Sequence, residues 1–410
     1  MESRVILHCD CNSFFASVET ALNPSYSDVP MAVCGNVENR HGIILAKNEL
    51  AKKYGIKTAE TVHSAKKKCP NLVLAAPHYN EYVKYSERAN EIYARYTDMI
   101  EPFGIDESWL DVTASTLLGS GIEIAERIRN DIKNELGITV SIGVSFNKAF
   151  AKLGSDYKKP DAITVISREN YREIVYPLPV SDLLFVGKRT EDLLRTLGIK
   201  TIGDLAYAST ELLTLKLGKA GEMLSRYARG EDNSPVEATD RNNSKSIGNG
   251  YTFKHDLVGR EECRIGINYL SEEIGTKLRI RGLKCATVQL SIKDEYLRTI
   301  QRNAPCNPPS DIAGEIAEVA FDIFCKTWNE EKPVRMITVT ATNLVRADTI
   351  AEQMDFFGDN DTENRARDEK KEIAIDEIRK RFGTDSILRA SVIDTDLGIY
   401  NPKRKSKRDV

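Results

Sequence analysis

The sequence is short of net charge, of paired cysteines and of long apolar runs, and each shortage removes a class of protein. With 58 Lys and Arg against 61 Asp and Glu, the formal charge of the 410 residues is -3. That excludes a chain that coats nucleic acid by being basic throughout, so any contact with DNA has to be local. No stretch approaches the roughly 18 uncharged apolar residues of a spanning helix, and Asp10 interrupts the N-terminus before an apolar signal core can build up. Neither membrane insertion nor secretion is expected. Eight cysteines stand at 9, 11, 34, 69, 263, 285, 306 and 325, with one C-x-C and no C-x-x-C. They suggest neither a zinc knuckle nor a disulfide framework, and reduced thiols in a cytoplasm fit best. What the chain does have is length, which exceeds one hydrophobic core and leads us to expect two to four domains.

Residues 4 to 11 read as a short buried strand that delivers Asp10 to its C-terminal end, followed by a helix from about Ser13 and Pro24 as a breaker. Lysine-rich helical stretches at 48 to 54 and 65 to 68 precede Pro70 and Pro77 and suggest a small subdomain. Helix from 79 to 99, strand-turn-strand from 100 to 112, helix from 121 to 136 and strand from 139 to 145 form a ferredoxin-type βαββαβ layer with an insertion after its first strand. Residues 168 to 230 read as helical, and 232 to 244 have linker composition. Strands near 245 to 254, 285 to 293, 296 to 303 and 334 to 344 alternate with two helices in a second βαββαβ unit. The last 65 residues are charged, with one short amphipathic helix (Ile375, Ile378, Phe382) stopped by Gly383, and are expected to be a mobile tail.

The D-E dipeptide occurs four times, at 106, 294, 368 and 376. A solvated helix face or a polar turn accounts for the last three. Asp106-Glu107 differs, because Ile105, Trp109, Leu110 and Val112 surround it at the bend of an apolar hairpin. Two such charges about 4 Å apart repel by roughly 4 kcal/mol at an effective dielectric near 20, and bound cations would offset that. Phosphoryl transfer gives a reason to gather carboxylates, since two Mg²⁺ activate an attacking hydroxyl and hold the leaving oxygens. Asp10 and Asp106-Glu107 have the positions to converge in this way, although spacing alone leaves a solvated cluster open.

Three blocks in order, C-D-C-N-S-F-F-A-S-V-E from Cys9, G-I-D-E-S-W-L-D-V-T from Gly104 and S-I-G-V-S-F-N-K-A-F-A-K-L-G-S-D-Y-K-K-P from Ser141, resemble the Y-family translesion DNA polymerases, nearest the bacterial DNA polymerase IV group. The resemblance spans about residues 1 to 345. It implies an α+β multidomain right-hand polymerase with a ferredoxin-like palm (1–12 and 79–167), small fingers (13–78), a helical helix-hairpin-helix thumb (168–231), a linker (232–244), a βαββαβ little finger (245–345) and a tail (346–410). The implied activity is low-fidelity, template-directed DNA synthesis from deoxynucleoside triphosphates on a primer-template, in a cytoplasmic monomer.

The resemblance further implies that Asp10, Asp106 and Glu107, with the backbone carbonyl of Cys11, hold two Mg²⁺. Phe14, Phe15, Lys52 and Lys159 are implied at the nucleotide, with Phe15 closing off the sugar's 2′ side; the residues alone leave Phe14 and Phe15 equally suited to a buried packing role. Glu49 stands where the family's phosphate-binding Tyr is usual and Lys52 replaces an Arg, which resembles the catalytic subunit of the mutasome polymerase, the alternative within the family. Gly104 and Ala162 replace a usual Ser and Gly.

Around Val186, Gly187, Lys188 and Thr190 the chain has the form of a helix-hairpin-helix, whose helix N-terminus offers backbone N-H groups to phosphate; the resemblance implies that these residues, and Lys245 at the start of the second sheet domain, contact DNA. Gln353-Met354-Asp355-Phe356-Phe357 resembles the bacterial sliding-clamp peptide, with Gln353, Met354, Phe356 and Phe357 as anchors. Two readings of other classes remain: a nucleotidyl cyclase, which would not need the hairpin or second sheet, and a clamp-bound DNA-binding protein with a dead palm, against which the three carboxylates and Lys159 speak.

Overall fold

The computed structural model describes residues 4–35, 42–238, 244–349, 359–393 and 395–399. They form two compact units that divide between residues 240 and 241.

In chain order the first unit runs β1 (Ile6–Cys11), α1 (Phe14–Leu22), β2 (Met31–Cys34), β3 (Ile44–Lys47), α2 (Glu49–Lys53), α3 (Val62–Lys68), β4 (Val73–Ala75), α4 (Tyr79–Tyr93), β5 (Ile100–Pro102), β6 (Glu107–Asp111), α5 (Gly121–Leu136), β7 (Val140–Ser145), α6 (Lys148–Tyr157) and β8 (Ile163–Ile166). Five strands join in the order β5-β6-β1-β7-β8, so β1, the first strand made, is the middle one. Every residue of β1 is buried, because both faces of the sheet are covered. Alternation sends Leu7, Cys9 and Cys11 into a core with Tyr82, Ile92, Leu110 and Ile128 under α4 and α5. Ile6, His8 and Asp10 therefore face the other side, where α6 lies.

α6 comes unusually near the sheet. A Cβ built on Gly143 of β7 would stand 1.9 Å from the carbonyl oxygen of Ala151, and one on Gly154 would stand 2.9 Å from the Gly143 Cα. Two glycines facing each other thus let a helix backbone rest on a strand backbone, which brings Lys152 and Ser155 of α6 down to His8 and Asp10.

The strands β3-β2-β4 form a separate small sheet. Helix α1 serves both layers: Phe14 and Val18 pack into the large sheet's core, Ala16 against Met31 and Val33 of the small one. α7 (Tyr171–Val175), α8 (Lys188–Thr196), α9 (Ile202–Tyr207), α10 (Thr210–Leu217) and α11 (Lys219–Ala228) complete the unit around a core of Val175, Leu183, Leu194, Leu205 and Leu224. The stretch with linker composition begins docked: Val236 is buried with Ile6, Trp109 and Ala151, and Arg4 donates to the Ser234 carbonyl at 2.7 Å.

The second unit is β9 (Ser246–Leu257), α12 (Gly259–Ile280), β10 (Leu283–Asp294), β11 (Thr299–Ser310), α13 (Ala313–Thr327) and β12 (Val334–Arg346), an antiparallel sheet in the order β11-β10-β12-β9 with Ile267, Leu270, Val288, Leu290, Phe324 and Val339 in its core. The expected mobile tail is corrected here. α14 (Asp359–Phe382) is a 24-residue helix, followed by α15 (Ala390–Ile393). Arg279 of α12 pairs with Glu372 at 3.1 Å and Asp376 at 2.6 Å, Lys284 with Glu369 at 3.0 Å, and Glu272 with Arg379 at 2.9 Å and with Arg389. Beyond it Leu397 enters the core and Lys254 meets Asp396 at 2.5 Å. The short helix read from Ile375, Ile378 and Phe382 is the C-terminal end of α14, which stops at Phe382 before Gly383; ion pairs and not that apolar face hold it, since Ile378 and Phe382 are exposed.

Placing a methyl group at Gly143 tests the close approach. Gly143→Ala should cost about 3 kcal/mol or more in guanidinium denaturation, since backbone has to move. A loss under about 1 kcal/mol would mean that α6 is free to lift.

Candidate active site

β1 and β6 pair antiparallel in a register that sets Asp10 directly across from Glu107. Opposed residues on neighbouring strands have Cβ atoms about 5 Å apart, and like charges there are destabilising. Asp106 immediately precedes β6, and its carbonyl accepts from the Cys11 N-H at 2.9 Å. Three carboxylates thus meet at one end of the sheet, as the sequence led us to expect.

Two ammonium groups answer this charge. Lys152 Nζ lies 3.0 Å from Asp10 Oδ2 and 2.5 Å from Glu107 Oε2, and Lys159 Nζ lies 2.7 Å from Asp10 Oδ2. Asp156 backs both lysines, at 3.4 Å and 2.7 Å. His8, fully buried, has Nδ1 2.8 Å from Ser155 Oγ and Nε2 3.3 Å from Glu107 Oε2. Ligating atoms of His8, Asp10 and Glu107 all fall within 4.8 Å of one another. Neither His8 nor Lys152 was singled out from the sequence. The signal was present in β-alternation, which puts His8 on the face of Asp10, and in the four-residue step from Lys148 to Lys152 on a helix.

The acids respond unequally. Burial, then the charges of Asp10 and Glu107, raise Asp106 from an ordinary 3.8 to about 6. Burial also pushes Glu107 upward, but His8 and Lys152 outweigh it and hold the carboxyl at about 2. Burial raises the Cys11 thiol to about 12, and alternation turns that side chain into the core under α4 and α5, away from the carboxylates. Burial likewise pushes His8 below its usual value, against the pull of Glu107.

The turn out of β1 takes two residues. Ser13, at φ 48°, starts α1 beside the carboxylates. Asn12 is buried, donates to Ser141 Oγ at 2.9 Å and accepts from the Asp161 N-H at 2.8 Å, which fixes the loop carrying Lys159. A cleft of about 390 Å³ opens next to this N-terminus, lined in part by Ser13, Ser17, Asn48, Glu49, Thr139 and Asp161. Glu49 accepts from Ser13 Oγ at 3.2 Å and pairs with Lys52 at 2.5 Å, so the charge of Lys52 is engaged by its own helix.

Phe14 and Phe15 separate. Phe14 is 3% exposed in the core, so its side chain cannot touch a nucleotide, and only its N-H in the first turn of α1 is offered. Phe15 is half-buried and stacks on Tyr82, with ring centroids 4.1 Å apart and an interplanar angle of 12°. Tyr82 in turn donates to Glu19 at 2.5 Å, and Glu19 also accepts from the His78 backbone N-H at 3.2 Å.

The hairpin expected near Val186 has a buried Val186, whose N-H bonds to Leu183. Its side chain is thereby removed from any DNA contact. Gly187 precedes α8 without a side-chain cap, leaving the first-turn N-H groups at Lys188, Arg189 and Thr190 for an outside acceptor. The next helix is closed by a capping box between Thr201 and Asp204. Lys188 pairs with Asp192 at 2.8 Å. Lys245 is exposed just before β9. The peptide with Gln353, Met354, Phe356 and Phe357 lies outside the described residues.

The impB/mucB/samB family profile matches residues 9–156, its C-terminal domain profile 244–356, and the DNA polymerase-iota thumb domain profile 181–232. DNA polymerase IV of Acetivibrio thermocellus is 49% identical over 392 residues, 95% of this chain and 98% of that protein. The chain belongs to the Y family of DNA polymerases, in the DNA polymerase IV group. DNA polymerase IV 1 of Bacillus subtilis is 35% identical across 96% of this polymerase and 94% of that one. The Y-family DNA polymerase chimera Dbh-Dpo4(243-245)-Dbh superimposes with a TM-score of 0.74 at 25% identity, over 83% of this chain and 99% of the other. The polymerase is therefore a translesion, DNA-directed DNA polymerase of the expected α+β right-hand class. It acts on DNA with a divalent metal, and among the described residues no helix is long and apolar enough to cross a membrane.

The raised acid gives a pH prediction for the cation-free protein. Asp106 binds its proton more tightly folded than unfolded, so stability declines as pH rises from about 4 through 6; Glu107 does the opposite and loses stability only as pH falls from about 4.5 towards 2. In chelator, the stability of Asp106→Asn relative to the parent should rise by about 2–3 kcal/mol between pH 4 and pH 7.5 in urea denaturation. A difference that does not change with pH would contradict the raised value.

Proposed function

We propose that the polymerase extends a primer 3′ end with two Mg²⁺ ions held by Asp10, Asp106, Glu107 and the backbone carbonyl of Cys11. The observation that carries this is the β1–β6 register opposing Asp10 and Glu107, with Asp106 adjacent and two ammonium groups already drawn in. The donors are oxygens and the neighbouring thiol stays protonated, a set that suits a hard cation such as Mg²⁺. When bound, the ions supply activation of the attacking hydroxyl and neutralisation of phosphate charge.

The chain's own residues orient the reactants. Lys159, on the loop that Asn12 pins, and the first-turn N-H groups of α1 meet the triphosphate. Lys52 joins them only by giving up Glu49. Phe15 excludes ribonucleotides: its ring, backed by a Tyr82 that Glu19 fixes, has no room to yield to a 2′-hydroxyl. The open N-terminus of α8 at Gly187, Lys188 and Thr190 holds a DNA phosphate, and Lys245 with the polar face of β10 (Thr287, Gln289, Ser291, Lys293) holds others.

We assign the palm, fingers, thumb and little finger to the spans given by the sequence, with α1 shared between palm and fingers. We further propose a cytoplasmic monomer tethered to the sliding clamp by residues 353–357. Tethering raises the local concentration of polymerase on its template.

Primer extension tests the catalytic assignment. Asp106→Ala and Glu107→Ala should each lower extension by about a hundredfold or more while DNA binding stays near the parent's, and Phe15→Ala should admit ribonucleotides with a smaller effect on deoxynucleotides. Extension within about tenfold of the parent in either carboxylate variant would refute it.

A further inference from the structure

Lys152 is an unusual lysine for a cluster of carboxylates. Its side chain is 17% exposed, and its Nζ lies against three carboxylates: Glu107 at 2.5 Å, Asp10 at 3.0 Å and Asp156 at 3.4 Å. Burial of an ammonium is costly unless it is paired. Here the pairing outweighs burial and the group stays charged throughout the neutral range. Lys159 is less enclosed, at 30% exposure, and touches Asp10 and Asp156 but not Glu107 in the contacts described.

The oxygens that Lys152 holds, Asp10 Oδ2 and Glu107 Oε2, are on the carboxylates assigned above to the metal ions. An ammonium within 3.0 Å of an oxygen and a divalent cation on the same oxygen repel each other strongly in a partly buried site. Asp156, one turn further along α6 and about half exposed, offers the displaced ammonium a partner it already approaches.

We propose that Lys152 is the resident counter-cation of this site, a positioning residue that holds Asp10 and Glu107 side by side while no divalent ion is present and shifts to Asp156 when one enters. It supports the cation-free fold and competes with the cation. The inference rests on the reading of Asp10 and Glu107 as metal ligands.

The test uses the full chain with Mn²⁺ alone, without DNA or nucleotide, following free Mn²⁺ by electron paramagnetic resonance and thermal unfolding with chelator or saturating Mn²⁺. Lys152→Met should bind Mn²⁺ about tenfold more tightly than the parent, because a unit positive charge has left the site. It should also melt below the parent in chelator, with the gap closing in Mn²⁺; a lysine that merely packs would leave the gap unchanged. Lys152→Arg, which keeps the charge, should restore parent-like binding. Asp10→Asn separates the two claims. If it leaves Mn²⁺ binding intact, the ligand reading is wrong. If it removes binding while Lys152→Met changes neither affinity nor gap, the Lys152 inference is overturned. Should Lys152→Met not fold, reductive methylation of the parent decides: Lys152 should react faster with Mn²⁺ than in chelator, and equal rates would overturn the proposal.

Discussion

Three carboxylates brought to one end of a buried sheet repel one another, and much of the first unit reads as a way of keeping them there. Asp10 and Glu107 are opposed by strand register, so their separation is set by the backbone and not by side-chain choice. At an effective dielectric near 20, a pair about 5 Å apart costs roughly 3 kcal/mol. Lys152 and Lys159 offset that cost at Asp10 and Glu107, while at Asp106 burial first, and then the charges of Asp10 and Glu107, raise the affinity for protons. On the reading proposed above, divalent cations offset the same charge.

The supporting structure follows from this need. Lys152 reaches the sheet only because Gly143 and Gly154 let two backbones touch. Lys159 is in place because Asn12, next to β1, bonds to the loop after it. Phe15 is set by a chain of contacts that begins at the buried Glu19 and passes through Tyr82. In each case a residue outside the three carboxylates does the positioning, by close backbone approach at Gly143 and Gly154, by hydrogen bonding at Asn12, and by a hydrogen bond and ring stacking at Glu19 and Tyr82.

Much of this was legible beforehand. The buried strand ending at Asp10, the apolar hairpin around Asp106-Glu107 and the helix from 121 to 136 are strong local patterns, and the structure forms each. What remained hidden depends on partners distant in sequence. Alternation puts His8 on the face of Asp10 and a four-residue step puts Lys152 in line with Lys148, but neither names Glu107 as the partner: the β1–β6 register brings His8 to it and the packing of α6 on β1 brings Lys152, across 99 and 45 positions. Strands β2, β3 and β4, of three or four residues, are too short to show a period. Of α14 only the end at Ile375, Ile378 and Phe382 was legible; its earlier turns and its docking escaped because ion pairs, with Arg279 at their centre, stand in for an apolar face. Phe14 and Phe15 looked equivalent until the helix was seen to turn one into the core and the other onto Tyr82.

The central claim is that the carboxylates of β1 and β6 are the metal site of the polymerase. The most direct measurement is anomalous scattering from crystals of the chain grown with primer-template, a non-hydrolysable deoxynucleotide and Mn²⁺. The account predicts two manganese peaks bounded by Asp10, Asp106 and Glu107, with Lys152 Nζ withdrawn from Asp10 and Glu107. Manganese bound elsewhere, or a fully occupied complex in which Lys152 still bridges those two carboxylates with no metal between them, would contradict it.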